Sequence, residues 1–302
     1  MTSAAAKTGA SAEAIQSHYD LSNRFYGLWL DDQMLYSGAF YERDDDSLEL
    51  AQLRKLDYHI GQARAQNVRR LLDIGCGWGA CIKRATGHAG VEHATGLTLS
   101  RAQAEYAHAH VSPRVDVRVE NWQDHVPEAP YDAIISIGAF EHFARIDYDD
   151  AQKVAVYKEF FRRCQEKFLK PGGYMSLQTF AYGSVRDRRQ AIRESATEFL
   201  AQEIFRETDP PTLANIAEAV RTHFEVVQLR NDREHYARTL RCWMERLKSR
   251  RAEAVAEVGE EAVERYERYL QYSFIGFQTG RLDLYRVTLR RLDTPWPRRA
   301  SH

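Results

Sequence analysis

Residues 71–79 read LLDIGCGWG. A short apolar run enters three alternate glycines, Gly75, Gly77 and Gly79, and a helical pattern follows from about residue 81. Glycine permits the tight turn and the close approach of backbone to a ligand. The helix N-terminus that follows presents free N–H groups. The spacing is DxGxGxG rather than the GxGxxG of dinucleotide enzymes. The next strand ends in ATGLTLS, residues 94–100, without the acid that would hold a nicotinamide ribose. The loop is read as a ligand cradle outside the dehydrogenase pattern.

Strand and helix alternate outward from this loop. Residues 68–74, 92–97, 114–119, 131–137 and 174–180 read as strands. Residues 81–86, 100–110 and 153–168 read as helices, the second opened by a cap at Ser100 and the third closed by the PGG of residues 171–173. The pattern predicts an α/β fold with a mostly parallel sheet covered on both faces. Upstream, residues 13–30 read as two short helices. Residues 46–65 read as an amphipathic helix with Leu48, Leu50, Leu53, Leu56 and Ile60 toward the core. Downstream, residues 184–207, 212–222, 239–248 and 261–274 read as helices, 223–229 as a strand and 281–289 as a final antiparallel strand. A helical cap, about 181–222 with contributions from 239–275, is predicted over the carboxyl ends of the strands, where open α/β sheets bind ligands. The expected organisation is a single domain, 13–290, with N-terminal helices 13–65 and a Rossmann-like core of 66–180 and 223–290. Tails at 1–12 and 291–302 are too polar to order themselves.

The chain has 302 residues, with 42 Lys+Arg against 43 Asp+Glu. That balance gives no global footprint for nucleic acid, and no recognition module is recognisable. No stretch approaches the roughly 18 consecutive apolar residues of a membrane span, and the start lacks the apolar middle of a secretory signal. Cys76, Cys81, Cys164 and Cys242 form no CxxC pair or His/Cys cluster. No disulfide framework and no metal site are therefore expected. A cytoplasmic protein is the expectation; oligomeric state is not legible, which leaves a homo-oligomer open. Arginine runs at 186–189 and 246–251 read as solvated helix faces.

SHYDLSNRFYGLWL, LYSGAFYERDDDSLELAQLRKLD, LLDIGCGWG, GLTLS, SIGAFEHF and HYARTL follow one another along the chain. Together they resemble the cyclopropane-fatty-acid synthase family, including the mycolic acid cyclopropane synthases, over residues 15–289. The resemblance implies a class I methyltransferase fold that uses S-adenosylmethionine. It implies that Gly75, Gly77 and Gly79 lie under the methionine part and Thr98, Leu99 and Gln103 near the ribose. Trp122 and Gln123 would flank the adenine, Tyr36 and Ser37 would hold the amino-acid end, and Ile137 would line the site. A half-buried strand-end aromatic is the alternative reading of Trp122.

In this family the acceptor is an alkene carbon, and transfer leaves a carbocation. Aromatic faces attract cations by roughly 0.5–2 kcal/mol each. Tyr19, Phe140, Phe143, Tyr182, Phe199, Tyr236 and Trp243 are candidates around the pocket, with core packing as the alternative for most. The resemblance also implies a bicarbonate ion that removes the proton, cradled by a Glu, a Tyr, a His and backbone near a Cys. Glu141 and Tyr236 are retained, but Gly38 stands at the Cys position and Gln178 at the His position. Gln donates a hydrogen bond but carries no proton or charge at neutral pH. Glu141 is then the candidate base, directly or through water. A helix-end carboxylate, a core tyrosine and an ordinary strand-end amide are the plainer readings of Glu141, Tyr236 and Gln178, and His142 reads as packing or surface. The altered anion site favours C-methylation of a hydrophobic prenyl or polyene acceptor in secondary metabolism. The alternative is bicarbonate-assisted cyclopropanation of unsaturated acyl chains in a lipid.

Overall fold

A computed structural model describes residues 21–184, 199–204 and 207–293. Seven strands form one sheet: β1 (Arg70–Ile74), β2 (His93–Thr98), β3 (Val115–Val119), β4 (Tyr131–Ile137), β5 (Leu169–Tyr182), β6 (Phe224–Asn231) and β7 (Leu282–Arg291). Their spatial order is β3-β2-β1-β4-β5-β7-β6. β1 to β5 pair in parallel, and β7 runs antiparallel between β5 and β6. The order reverses between β1 and β4, so a crevice opens beyond their carboxyl ends. Gly75 and Gly138 follow those two strands.

The helices before β5 are α1 (Asn23–Gly27), α2 (Leu48–Gln62), α3 (Ala80–His88), α4 (Arg101–His110) and α5 (Asp150–Arg163). Ser100 caps α4 by accepting from the Gln103 N–H at 3.1 Å. The third helix reaches Phe168, as the sequence pattern predicts, but its last turn is not α-helical. Residues Cys164–Phe168 form a wider turn that feeds straight into β5. The PGG segment lies inside that strand, where Gly172 takes φ +73° and the pairing register to β4 shifts. The glycines accommodate a bulge rather than terminating a helix.

After β5 come α6 (Leu213–Val220), α7 (Arg233–Ser249), α8 (Arg251–Val258) and α9 (Glu260–Gln278). The expected helix at 184–207 falls largely outside the described residues, as does the arginine run at 186–189. The expected cap helix at 212–222 is placed differently. Ile216, Ala219 and Val220 of α6 join Phe160, Phe161 and Phe224 in the core on one sheet face, rather than over the strand ends. A second core supplies the cover there, in which Phe25, Tyr26 and Trp29 meet Trp78, Trp243, Tyr266 and Tyr269. It ties α1, α7 and α9 to the glycine loop, and Trp78 Nε1 donates to Asn23 Oδ1 at 2.7 Å.

The buried face of α2 departs from its apolar pattern. Leu50 is 42% exposed, while Gln52, Lys55 and His59 are fully buried beside Leu48, Leu56 and Ile60. Each of the three polar side chains in this buried stripe hydrogen-bonds to another element. Gln52 donates to the Leu35 and Ser37 carbonyls at 3.2 and 3.0 Å. Lys55 donates to Ser37 Oγ, and His59 meets Ser176 and Gln178. The stripe thus fixes the strap of residues 31–39 against the sheet. Asp31 holds the other end, accepting from the Gln33 and Leu35 N–H groups.

Candidate active site

A cleft of about 1080 Å³, mouth included, lies beyond β1, β2 and β4. Its floor is Gly75, Cys76 and Gly77. Tyr36 and Ser37 of the strap, Thr98, Leu99 and Gln103, Trp122, and Ile137 with Gly138 supply its walls. Gly75 and Gly77 take φ of +85° and +53°, a backbone region that favours glycine. A Cβ on Gly75 would stand 2.4 Å from that of Ala139, whereas one on Gly77 would meet nothing within 4 Å. The first glycine serves close packing and the second leaves space at the cleft. Gly79, at φ +88°, is not on the cleft wall; it starts α3 against Ala107. Thr98 Oγ1 donates to Gln103 Oε1 at 2.8 Å, which leaves the Gln103 amide nitrogen as the free-facing donor. Trp122 is buried, its ring against Phe143 and the edge of Phe160. Gln123 is not among the lining residues; Glu120 and Asn121 line the wall there instead.

Asp73 completes the floor. It is buried, and its Oδ1 has no hydrogen-bond partner among the described residues. Burial pushes its pKa up to about 7. An unpartnered buried carboxylate at the edge of a glycine cradle fits a ligand that carries an ammonium or hydroxyl donor there. The cleft therefore suits the amino-acid and nucleoside parts of S-adenosylmethionine.

A second, smaller cavity adjoins the first. Tyr36, Ser37, Gly138 and His142 line both, and Glu141, Gln178, Thr179, Tyr236, Tyr269 and Leu284 belong to the second. Glu141 lies in a single 3-10 turn after β4, Phe140–His142. Its Oε2 accepts from Thr179 Oγ1 at 3.1 Å, yet burial pushes its pKa up to about 8. It is a carboxylic acid at neutral pH that a nearby cation would ionise. His142 touches Thr208 Oγ1 through Nδ1 at 2.9 Å, and burial lowers its pKa to about 4. It is a neutral wall residue common to both cavities, where the sequence suggested packing or surface.

Gln178 is held more tightly than a strand-end amide requires. Arg286 faces it across the β5–β7 pair and donates through Nε to its Oε1 at 2.9 Å. Arginine only donates, so the oxygen must face it and the amide nitrogen must face the Gly38 carbonyl, 3.4 Å away. Arg286 is itself fully buried, ion-paired to Asp232, and bonded to the Gly38 and Ala39 carbonyls. At Gly38 a Cβ would come within 2.8 Å of Leu284 and 2.9 Å of the Tyr236 ring. The space a cysteine side chain would need is filled. Tyr236, on the first turn of α7, packs that ring on Phe277 at 4.5 Å between centroids.

Several candidate aromatics stand elsewhere. Phe140 stacks on Tyr157 at 4.4 Å inside the core. Tyr182 donates to Asp209 at 2.8 Å within a buried Lys153–Asp209 pair. Phe199 packs its edge on Tyr272, and Trp243 is core, against Trp29, Tyr36 and Tyr236. None of the four lines either cavity, whereas Phe143 lines the cleft. Tyr19 lies outside the described residues. Among the described residues no group of His, Cys, Asp and Glu could hold a metal ion, and no helix is long and apolar enough to cross a membrane.

The profile of the mycolic acid cyclopropane synthetase family matches residues 6–287. The chain is 37% identical over 296 residues to cyclopropane mycolic acid synthase MmaA2 of Mycobacterium tuberculosis, covering 92% of this chain and 97% of that one. The chain belongs to this family. The solved structure of MmaA2 superposes with a TM-score of 0.81 at 34% identity, over 93% of this chain and 99% of the other. Mycolic acid cyclopropane synthase CmaA1 complexed with SAH and CTAB gives the same TM-score at 31% identity and the same coverage. Like these cyclopropane synthases, the chain is an S-adenosylmethionine-dependent enzyme of methyltransferase type.

Proposed function

We propose that this enzyme builds a cyclopropane ring on a cis double bond of a long unsaturated acyl chain. The relatives that cover nearly all of the chain are named for cyclopropane mycolic acid synthesis, and one was crystallised with SAH and CTAB. This reading displaces the prenyl or polyene acceptor that Gly38 and Gln178 suggested from sequence. S-adenosylmethionine, when bound, supplies a methyl group activated by its sulfonium. The glycine loop, Asp73, the Tyr36–Ser37 strap, Thr98, Gln103 and Trp122 are the residues that would hold it.

The remaining work belongs to the chain's own groups. An alkylated alkene carbon carries positive charge, and ring closure requires a proton to leave the new methyl carbon. Glu141 is the carboxyl group of the adjoining cavity, buried and without a counter-ion among the described residues. That single observation carries the assignment: a cation nearby lowers its pKa and makes it a base when one is needed. Tyr236 and Tyr269 line the same space, and aromatic faces attract cations. The Gln178 amide nitrogen, fixed by Arg286, favours an oxygen acceptor there. Bicarbonate between Glu141 and Gln178 is the anion this cradle supports, as a relay for the proton.

Glu141→Gln keeps shape and removes the base. It should lower turnover about 10²–10⁴-fold while leaving SAH affinity unchanged. Parallel losses of turnover and SAH affinity would make Glu141 a structural residue.

A further inference from the structure

The buried face of α2 carries a group that the assignment above leaves unused. Lys55 is fully buried, and its Nζ donates to Ser37 Oγ at 2.7 Å. That is its only hydrogen bond among the described residues, and none of their carboxylates lies within ion-pair distance of it. A lone interior ammonium is costly unless a negative group completes it. Ser37 is a wall of the cleft, so whatever completes the charge can arrive from that side. On the cleft floor Asp73 presents the complementary orphan, a buried carboxylate oxygen without a partner among the described residues. An ammonium behind one wall and a carboxylate in another suit a zwitterion, an α-amino acid in particular.

We propose that Lys55 is a positioning residue for the carboxylate of the cofactor's amino-acid end, acting through Ser37, and that it takes up a proton when that carboxylate arrives. The proposal rests on S-adenosylmethionine as the occupant of the cleft. Burial holds the Lys55 pKa down to about 7, so the ammonium is partly discharged in the empty protein at neutral pH. The other groups that face it are Asp31 of the strap, Asp73 of β1, Cys81 of α3, Arg286 of β7 and His59 one turn along α2. Asp31 is occupied by two backbone N–H groups. Burial pushes the Cys81 thiol well up and the His59 imidazole well down, so both stay neutral. Arg286 repels the ammonium and is neutralised by Asp232. Asp73 is the one group that would exchange a proton in the opposite direction, losing it to an arriving ammonium below about pH 7.

The sign of proton exchange therefore changes with pH. At pH 8 most of Lys55 is neutral and Asp73 is ionised, so binding takes up a proton; at pH 6 it releases one. Calorimetric titration of the full chain with S-adenosylhomocysteine, in two buffers of different ionisation enthalpy, reads this directly. At pH 8 roughly 0.3–0.4 of a proton should be taken up per ligand, as a one-unit rise of the Lys55 pKa from about 7 gives. 5′-Methylthioadenosine has the same nucleoside and thioether but no amino-acid end, and should take up none. Lys55→Met should abolish the uptake and weaken S-adenosylhomocysteine about tenfold, the worth of one pKa unit. It should leave methylthioadenosine affinity within about twofold. Ser37→Ala, which keeps the ammonium and cuts the relay, should reduce the uptake.

Undiminished uptake in Lys55→Met, or equal weakening of both ligands, would overturn the proposal. Binding of methylthioadenosine alone by the unaltered protein would also overturn it while sparing the nucleoside part of the cofactor reading. Binding of neither ligand would overturn the cofactor reading and the proposal together.

Discussion

The cofactor cleft and the cavity behind it share four wall residues, yet they are assembled in different ways. The cleft is made from neighbouring strand ends, Ile74 into Gly75 and Ile137 into Gly138, with the strap beside them. The second cavity draws on the Glu141 turn, β5, α7, α9 and β7, with little contributed by any one segment. Its polar groups are also locked more deeply. The chain Asp232–Arg286–Gln178 is buried throughout and ends at the Gly38 carbonyl. Binding geometry is fixed by backbone in the first and by side-chain pairing in the second. Substitutions should therefore separate the two cavities by what they damage.

The largest effect is expected at the glycine cradle. Gly75→Ala places a Cβ 2.4 Å from that of Ala139 at a φ of +85°. The loop must move, and SAH affinity should fall about a hundredfold, roughly 2.7 kcal/mol. A fall in turnover with intact SAH affinity would erase the distinction between the cavities.

Gly38→Cys is the sharper contrast. It overpacks Leu284 and the Tyr236 ring, so stability to urea should drop by about 1–3 kcal/mol. SAH affinity should stay within about threefold, a change below about 0.7 kcal/mol. An unchanged urea midpoint would mean that Tyr236 and Leu284 yield readily and that this cavity is less rigid than the cleft.

The third effect is a slope, modest over any one pH unit. Glu141 in the folded protein has a pKa of about 8, above the ordinary carboxylate value of 4.5. The folded state therefore binds more protons than the unfolded state between those limits, and stability from this group falls as pH rises through them. The stability difference between wild type and Glu141→Gln should change with pH by up to about 1.4 kcal/mol per unit in that window, against the wild type. A flat difference would mean that Glu141 is ionised in the folded state at neutral pH.

The cleft was legible in the sequence because its signals are local. The DxGxGxG spacing, the Ser100 cap and the alternation of strands and helices all act within a few residues. Resolution failed where adjacent residues diverge: Trp122 lines the cleft and Gln123 does not, while Glu120 and Asn121 do. α2 misled for a physical reason. Its apolar residues suggested a greasy face, but the buried stripe includes Gln52, Lys55 and His59, each of which hydrogen-bonds to the strap or β5. Nothing local announces that partnership. Tyr269 and Leu284 had no signal either, since they meet Glu141 and Tyr236 only through the folded topology. Phe140, Tyr182, Phe199 and Trp243 show the converse: aromatic residues near a motif are more often needed for packing.

The central claim is ring closure on an acyl chain, and the fate of the transferred hydrogens tests it directly. The protein is supplied with S-adenosylmethionine bearing a fully deuterated methyl group and with lipid carrying cis-monounsaturated acyl chains, and the products are weighed by mass spectrometry. A product that retains two deuteriums has lost one from the methyl itself, as cyclopropane formation demands, and is the predicted result. A product that retains all three is a methyl branch whose proton left from the substrate carbon, and it would contradict the account.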